Sequence, residues 1–189
     1  GRKQLPPDTF SFLMCSNILS QPFLLGISVF IFQITIFSLL AGDLFNPSSD
    51  DNPLGIPVKV EISVRVTQFL TIIIAVLTQA DLRSSLEQMN EGYSEECIGK
   101  DFGEATCGKW WCAVACRFWH GVLGLGVTFL LIVTEDNVFD LLLNFTAMEF
   151  VSQLDDAAFV LAGMGYFGSK NADKSKRSKK KLILRRQTK

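Results

Sequence analysis

Three apolar stretches constrain this 189-residue chain more than any other feature of its sequence. A helix of about 20 apolar residues crosses the roughly 30 Å hydrocarbon core of a bilayer. Residues 22–42 contain no charged side chain, residues 66–80 form a shorter stretch, and residues 110–133 contain Arg117 and His120. Lipid rather than water is therefore the expected solvent around these stretches, and the expected fold class is an all-α membrane protein.

Residues 138–168 are long enough for a fourth crossing but carry four carboxylates. Each carboxylate near the bilayer centre costs about 2.5–3.5 kcal/mol, whereas each Leu, Ile, Phe or Val returns about 0.3–0.6 kcal/mol, so the segment should not insert alone. Folding back about a turn at residues 134–137 places Arg117 level with Asp155 and Asp156, which reduces the cost. We therefore predict about four transmembrane helices, the last two forming a hairpin. A helix lying at the membrane interface is the alternative for residues 138–168.

Charge divides the chain into an acidic body and a basic tail. Residues 1–168 carry 8 Lys and Arg against 18 Asp and Glu, whereas residues 169–189 carry 10 Lys and Arg against one Asp. Lys and Arg close to the ends of spans favour the cytoplasmic side. We expect a polar N-terminal lead-in at residues 1–21, a transmembrane module at residues 22–168 and a polybasic cytoplasmic tail. Four crossings would place the N-terminus on the cytoplasmic side as well.

Polar segments connect the predicted spans. Residues 58–66 alternate apolar and polar side chains, which fits either a short strand or an extended lead-in to the second span. Residues 81–109 are acidic, and we expect a loop on the cytoplasmic side. The chain begins at Gly1 without a signal-peptide pattern, and we expect it to be a piece of a longer polypeptide.

Small and amide side chains within the apolar stretches predict close helix packing. Gly121, Gly124 and Gly126 form a patch that would let a neighbouring helix approach closely. Gln33 and Gln68 can donate hydrogen bonds to neighbouring helices. We expect all five residues to serve packing rather than transport.

Ionisable residues inside the predicted spans are the main candidate site. Arg117 with Asp155 and Asp156 fits either an ion pair that holds the hairpin together or an ion or proton path. The ion pair is the favoured interpretation, because Arg117 supplies a ready partner. Glu149 has no predicted partner except His120, and it is the better candidate for an ion path.

The basic tail is predicted to contact anionic lipids of the inner leaflet. Near such a leaflet each Lys or Arg contributes about 1 kcal/mol of attraction. The expected lipid-contacting residues are Lys174, Lys176, Arg177, Lys179, Lys180, Lys181, Arg185 and Arg186. A solvated topology signal is the alternative, and nucleic acid is not expected as a partner beside a membrane.

The sequence predicts no catalytic centre, metal site or cofactor. The single histidine excludes bis-histidine haem sites and H-E-x-x-H metal sites, which need two imidazoles. The spacings of Cys97, Cys107, Cys112 and Cys116 match no zinc motif, and we expect unlinked thiols. We therefore do not expect an enzyme.

Three segments carry a likeness to other proteins. They are NILSQPFLLGISVFIFQ at residues 17–33, VRVTQFLTIII with LTQADL within residues 64–82, and residues 121–159, in which NFTAMEFVSQLDD is the most distinctive part. These segments resemble a family of uncharacterised multi-pass membrane proteins of unicellular, diatom-like algae. The resemblance covers most of residues 11–168 and implies a membrane module within longer chains. It implies no activity and no functional residue.

Two functions fit these features. The leading expectation is a non-enzymatic integral membrane module that anchors or assembles a larger protein, with lipid and other membrane helices as its partners. The rival is an ion or proton channel or transporter domain that uses Glu149, with Asp155 and Asp156, along a polar path.

Overall fold

The computed structural model describes residues 6–45, 55–57, 59–93 and 104–176, and the described residues contain helices and no β-strand. The helices are α1 (Phe10–Cys15), α2 (Gln21–Leu44), α3 (Ile62–Thr78), α4 (Ala80–Glu91), α5 (Cys107–Thr134), α6 (Val138–Ser152) and α7 (Leu154–Met164). Residues 169–176 are also helical. The all-α prediction is confirmed. The strand alternative for residues 58–66 is wrong, because the chain is helical from Ile62 onward.

Two helices are long and apolar enough to cross a membrane: α2 with 24 residues and α5 with 28 residues. They contain the predicted stretches 22–42 and 110–133. A third candidate arises only if α3 and α4, which are bent by 42° at their junction, form one span together. The predicted loop at residues 81–109 is wrong for residues 81–91, because these continue the chain as α4.

The segment at residues 138–168 is interrupted and is not among the candidate spans. The turn predicted at residues 134–137 is confirmed, because α5 ends at Thr134 and α6 begins at Val138. The Asn137 side chain caps α6 by accepting a hydrogen bond from the Phe139 N–H at 2.9 Å. Helices α5 and α6 pack against each other across this turn, and a single residue, Gln153, separates α6 from α7.

Helix α5 lies at the centre of the structure, where α1, α2, α3, α4 and α6 all pack against it. Phe37, Val127 and Met148 form an apolar cluster that joins α2, α5 and α6. The predicted interhelical amide contacts are also present. Gln68 of α3 donates to the Ile132 carbonyl oxygen of α5 at 3.0 Å, close to the turn that leads into α6.

The segment predicted as a polar lead-in contains a helix that is packed into the structure. All six residues of α1 are buried. Phe10 packs with Trp110 and Val114 of α5, and Phe12 contacts the Phe159 ring of α7 with a centroid distance of 4.9 Å. The apolar run at residues 10–15 is too short to span a bilayer, so it is buried against other helices instead.

The glycines of α5 differ in their surroundings. A Cβ atom on Gly121 would lie 2.8 Å from the backbone nitrogen of Leu82 in α4, and one on Gly124 would lie 3.3 Å from the Phe37 ring of α2. A Cβ atom on Gly126 would meet nothing within 4 Å. Close helix packing is therefore confirmed at Gly121 and Gly124, whereas Gly126 faces open space.

We expect Gly121→Ala to lower the free energy of unfolding by about 1–3 kcal/mol, because the added methyl group overlaps the backbone of α4. Gly126→Ala is the matched control on the same helix. It should be neutral or stabilising by up to about 1 kcal/mol, because Ala favours helix more than Gly does. Unfolding in detergent measures both changes, and equal effects of the two substitutions would contradict the close α4–α5 contact.

Candidate functional site

Arg117 lies in α5 with only 3% of its side chain exposed. Its Nη2 donates to both carboxylate oxygens of Asp8, at 2.8 and 2.6 Å, and its Nε lies 3.9 Å from Asp81 Oδ1. Its guanidinium carbon lies 5.2 Å from the centroid of the Phe10 ring, within cation–π range. The predicted ion pair of Arg117 with Asp155 or Asp156 is not formed. Asp8, two residues before α1, supplies the partner instead.

Asp8 stabilises the start of α1 and also pairs with Arg117. Its Oδ1 accepts a hydrogen bond from the Ser11 N–H at 3.0 Å, which satisfies one of the free donors at the helix N-terminus. Burial raises the pKa of the Asp8 carboxyl above its usual range, and the nearby Asp81 carboxylate adds to this effect, although Arg117 opposes it. The carboxyl therefore lies where a negative charge is costly without a cation beside it.

His120 contacts α4 rather than α6. Its Nδ1 lies 3.0 Å from Asp81 Oδ2, and its ring lies between the rings of Phe10 and Phe37 at centroid distances of 5.8 and 5.3 Å. His120 is fully buried, and its Nε2 has no hydrogen-bond partner. A neutral imidazole that donates from Nδ1 leaves no buried N–H group unpaired, so this tautomer fits the surroundings best.

Asp155 joins the same region from α7 and is 1% exposed. Gln33 of α2 donates from Nε2 to the Val151 carbonyl oxygen at 2.9 Å and lies 3.4 Å from Asp155 Oδ1. Gln33 therefore contacts the helix ends on both sides of the interruption between α6 and α7. Asp155 Oδ2 and Gln33 Oε1 are buried atoms without a hydrogen-bond partner, as are Arg117 Nε and His120 Nε2.

Three aspartates converge in this region, and we refer to Asp8, Asp81 and Asp155 as the aspartate cluster. One carboxylate oxygen of each lies within 4.8 Å of the others. Arg117 is the one permanently charged cation that the structure places in contact with them, within the described residues. The cluster therefore carries more negative than positive charge, and chemically it can hold a cation or a proton.

The other predicted acids lie outside this cluster. Glu149 is half-buried on α6, accepts a hydrogen bond from the Thr78 hydroxyl of α3, and lies 3.2 Å from Gln153 Nε2. Asp156 follows Asp155 directly but is exposed. Of the five predicted ionisable residues, the structure brings together Arg117, His120 and Asp155. The sequence analysis does not identify Asp8, which falls in the predicted lead-in, or Asp81, which falls in the predicted loop at residues 81–109.

The predicted lipid-contacting residues fall mostly beyond the described part of the chain. Lys174 lies 3.6 Å from Glu104, and Lys176 is exposed. The remaining six, which lie outside the described residues, are Arg177, Lys179, Lys180, Lys181, Arg185 and Arg186. Among the cysteines, Cys97 is also outside them, and Cys15, Cys107, Cys112 and Cys116 form no disulfide bond with one another.

The fold and the site define an α-helical protein with two, or up to three, candidate membrane-spanning helices and a cluster of three aspartates, two of them buried. No protein family, curated protein or solved structure matches the chain. Its function must therefore be argued from the geometry of the site itself.

Proposed function

We propose that this chain is an ion- or proton-translocating module of an integral membrane protein. The observation that carries the proposal is the convergence of Asp8, Asp81 and Asp155 beside Arg117 in the helical interior. Burying an ion costs several kcal/mol even after the protein relaxes, and a single guanidinium cannot compensate three carboxylates. Ionisable groups inside membrane helices typically mark ion or proton pathways.

A purely structural role would require fewer acids. One acid for each contact would be sufficient: Asp8 pairs with Arg117 and so links the N-terminal segment to α5, and Asp81 contacts His120 and so links α4 to α5. Asp155 is the acid left without an ionic partner, since its one hydrogen bond comes from the Gln33 amide. The excess carboxylate favours ion handling over a static ion pair.

The proposal includes four membrane crossings, with α3–α4 as the second and α6–α7 as the fourth. Exposed apolar side chains support lipid contact along both pairs, among them Phe69 and Leu70 of α3, Phe139 and Phe150 of α6 and Met164 of α7. We further propose that both termini lie on the cytoplasmic side, that the basic tail contacts anionic lipid, and that the chain is related to the algal membrane proteins that it resembles.

The test is an ion-flux assay on the purified chain in liposomes, with proton- and cation-sensitive dyes. We expect Asp155→Asn to reduce the flux at least tenfold, because the substitution removes the charge without changing the shape of the side chain. Asp156→Asn makes the same change at the adjacent exposed position and should leave the flux unchanged. Glu149→Gln should also retain flux, because Glu149 lies outside the aspartate cluster.

A wild-type chain that is inserted and folded but conducts neither protons nor cations would contradict translocation. If flux is lost in Glu149→Gln and kept in Asp155→Asn, the ion path lies at the contact between α3 and α6 instead of at the aspartate cluster.

The second candidate function is the anchoring or assembly of a larger membrane protein. Helix α2 exposes large apolar side chains that no other described part of this chain covers, including Ile31, Phe32 and Leu39 at 57%, 54% and 66% exposure. Such a face fits lipid or a helix of a larger assembly. Stable insertion without any flux would favour this function.

A further inference from the structure

Two helix interruptions beside the aspartate cluster share one short sequence pattern. Residues 78–81 read Thr-Gln-Ala-Asp across the junction of α3 and α4, and residues 152–155 read Ser-Gln-Leu-Asp across the junction of α6 and α7. In each case the glutamine is the residue between the two helices. Asp81 and Asp155 therefore occupy equivalent positions, each being the second residue of the helix that follows the interruption.

These two aspartates do not serve as helix caps. Neither α4 nor α7 has a side-chain hydrogen bond at its N-cap. Their positions in the first helical turn still lower the cost of an ionised carboxylate, because the helix dipole is positive at that end. In membrane proteins, interrupted helices at membrane depth are tolerated where they line an ion or substrate site. The paired interruptions thus bring two carboxylates to one place in the interior.

The unpaired atoms beside the cluster are an independent observation that points to a ligand. Asp155 and Gln33 are 99% and 100% buried, and each has an oxygen atom without a hydrogen-bond partner. Buried polar atoms are almost always paired, and leaving one unpaired costs about 1–3 kcal/mol. Both atoms are acceptors, so the partner they lack is a donor or a cation. Arg117 Nε is a buried donor without a hydrogen-bond partner in the same region, and a water ligand of a bound cation would supply its acceptor. The Asp155 carboxylate points into the cluster, because its ligand atom lies within 4.8 Å of those of Asp8 and Asp81.

The charge balance favours a divalent ligand. Asp8, Asp81 and Asp155 contribute three negative charges, and Arg117 contributes one positive charge. The neutral His120 tautomer that fits its surroundings adds none. The exposed Asp156 adjoins the cluster and adds further negative charge nearby, not positive charge. For the three aspartates and Arg117 together, an excess of two negative charges remains when all three carboxylates are ionised, and a divalent cation neutralises it.

We propose that Asp8, Asp81 and Asp155 bind a divalent, oxygen-preferring cation of the Ca²⁺ or Mg²⁺ class, with Gln33 Oε1 as a further oxygen donor. Carboxylate and amide oxygens are the ligands these ions prefer. Ca²⁺ ligands at 2.3–2.6 Å lie up to about 5 Å apart across the ion, so oxygens within 4.8 Å of one another can share it. Asp81, at 15% exposure, is the least buried of the three and marks the side from which the ion reaches the site.

The role of this site in transport rests on the proposed function, whereas binding is measured separately. The full chain in detergent, first stripped of divalent ions with a chelator, is titrated with CaCl₂, MgCl₂ and NaCl at constant ionic strength. We expect saturable binding of one divalent ion by calorimetry. At a hundredfold excess over Kd, the Tm should rise by about 5–10 °C. NaCl should give no saturable rise.

Asp155→Asn should abolish the rise in Tm on adding the divalent ion. It should also raise the Tm of the metal-free protein, because it removes an uncompensated buried charge. Asp156→Asn is the matched control. It removes a nearby charge but no ligand, so saturable binding of one divalent ion should be kept. Asp81→Asn is a second variant at the more accessible ligand, and it should lose binding as well.

Absence of saturable divalent binding would overturn the inference, and so would binding that survives in both Asp155→Asn and Asp81→Asn. If the Tm responds to pH but to no divalent ion, the cluster binds a proton rather than a metal ion, and the inference is overturned. Saturable binding without flux in liposomes would refute translocation and leave the site in place. Flux that persists while binding is absent would refute the site and leave translocation in place.

Discussion

Arg117→Met is expected to lower the free energy of unfolding by about 3–5 kcal/mol, because it leaves buried carboxylates without their cation. The guanidinium contacts both oxygens of Asp8 and lies 3.9 Å from Asp81, and the Arg117 and Asp8 side chains are each 3% exposed. Methionine keeps most of the volume of the side chain, so the loss of stability reflects the missing charge rather than a cavity. Chemical unfolding in detergent, followed by circular dichroism, measures the change.

Arg83→Met is the matched control for this substitution. Arg83 is exposed on α4, and its replacement should change the free energy of unfolding by no more than about 0.5 kcal/mol. Adding Asp8→Asn to Arg117→Met should restore part of the lost stability, because one of the orphaned charges is then removed. If Arg117→Met costs no more than Arg83→Met, the buried pair does not exist in the folded protein.

Local signals in the sequence were sufficient to predict the two longest helices and one turn. The uncharged run at residues 22–42 lies within α2, and the apolar run at residues 110–133 lies within α5. The polar residues 135–137 separate α5 from α6, within the turn that the sequence predicts at residues 134–137. These features depend on hydrophobicity and turn chemistry within a short window, which a single sequence contains.

The helix interruptions could not be predicted in the same way. Helices are usually broken at Pro or Gly, whereas these junctions contain Gln79 and Gln153, and glutamine is a good helix former. What the sequence does contain is the recurrence of a hydroxyl residue, Gln, an apolar residue and Asp. Two occurrences of so short a pattern gain meaning only when the fold brings both aspartates together.

The partners of the buried charges were missed because they depend on tertiary structure. The predicted pairing of Arg117 with Asp155 and Asp156 follows from folding residues 138–168 back along α5. It takes no account of other segments of the chain. The actual partner, Asp8, lies 109 residues away and is positioned by the docking of α1. Glu149 likewise finds a hydroxyl group on α3, a helix outside the predicted hairpin.

Phe12→Ala is expected to lower the free energy of unfolding by about 3–5 kcal/mol, the range for truncating a buried aromatic side chain. Phe12 is fully buried, and its ring lies 4.9 Å from that of Phe159, which joins α1 to α7. The matched control is Phe32→Ala on α2. Its ring is 54% exposed, so its loss should leave no cavity and should cost less than about 1 kcal/mol.

Docking of α1 carries Asp8 to Arg117, so the Phe12 contact and the buried ion pair should be energetically coupled. Releasing α1 would separate Asp8 from Arg117. Phe12→Ala alone would therefore already lose part of the stability that Arg117→Met removes. The double substitution Phe12→Ala with Arg117→Met should therefore cost less than the two single substitutions added together, by at least about 1 kcal/mol. Limited proteolysis should at the same time cut within residues 6–16 faster in Phe12→Ala than in Phe32→Ala. Strict additivity, with no change in cleavage, would mean that Asp8 reaches Arg117 without the docking of α1 on α7.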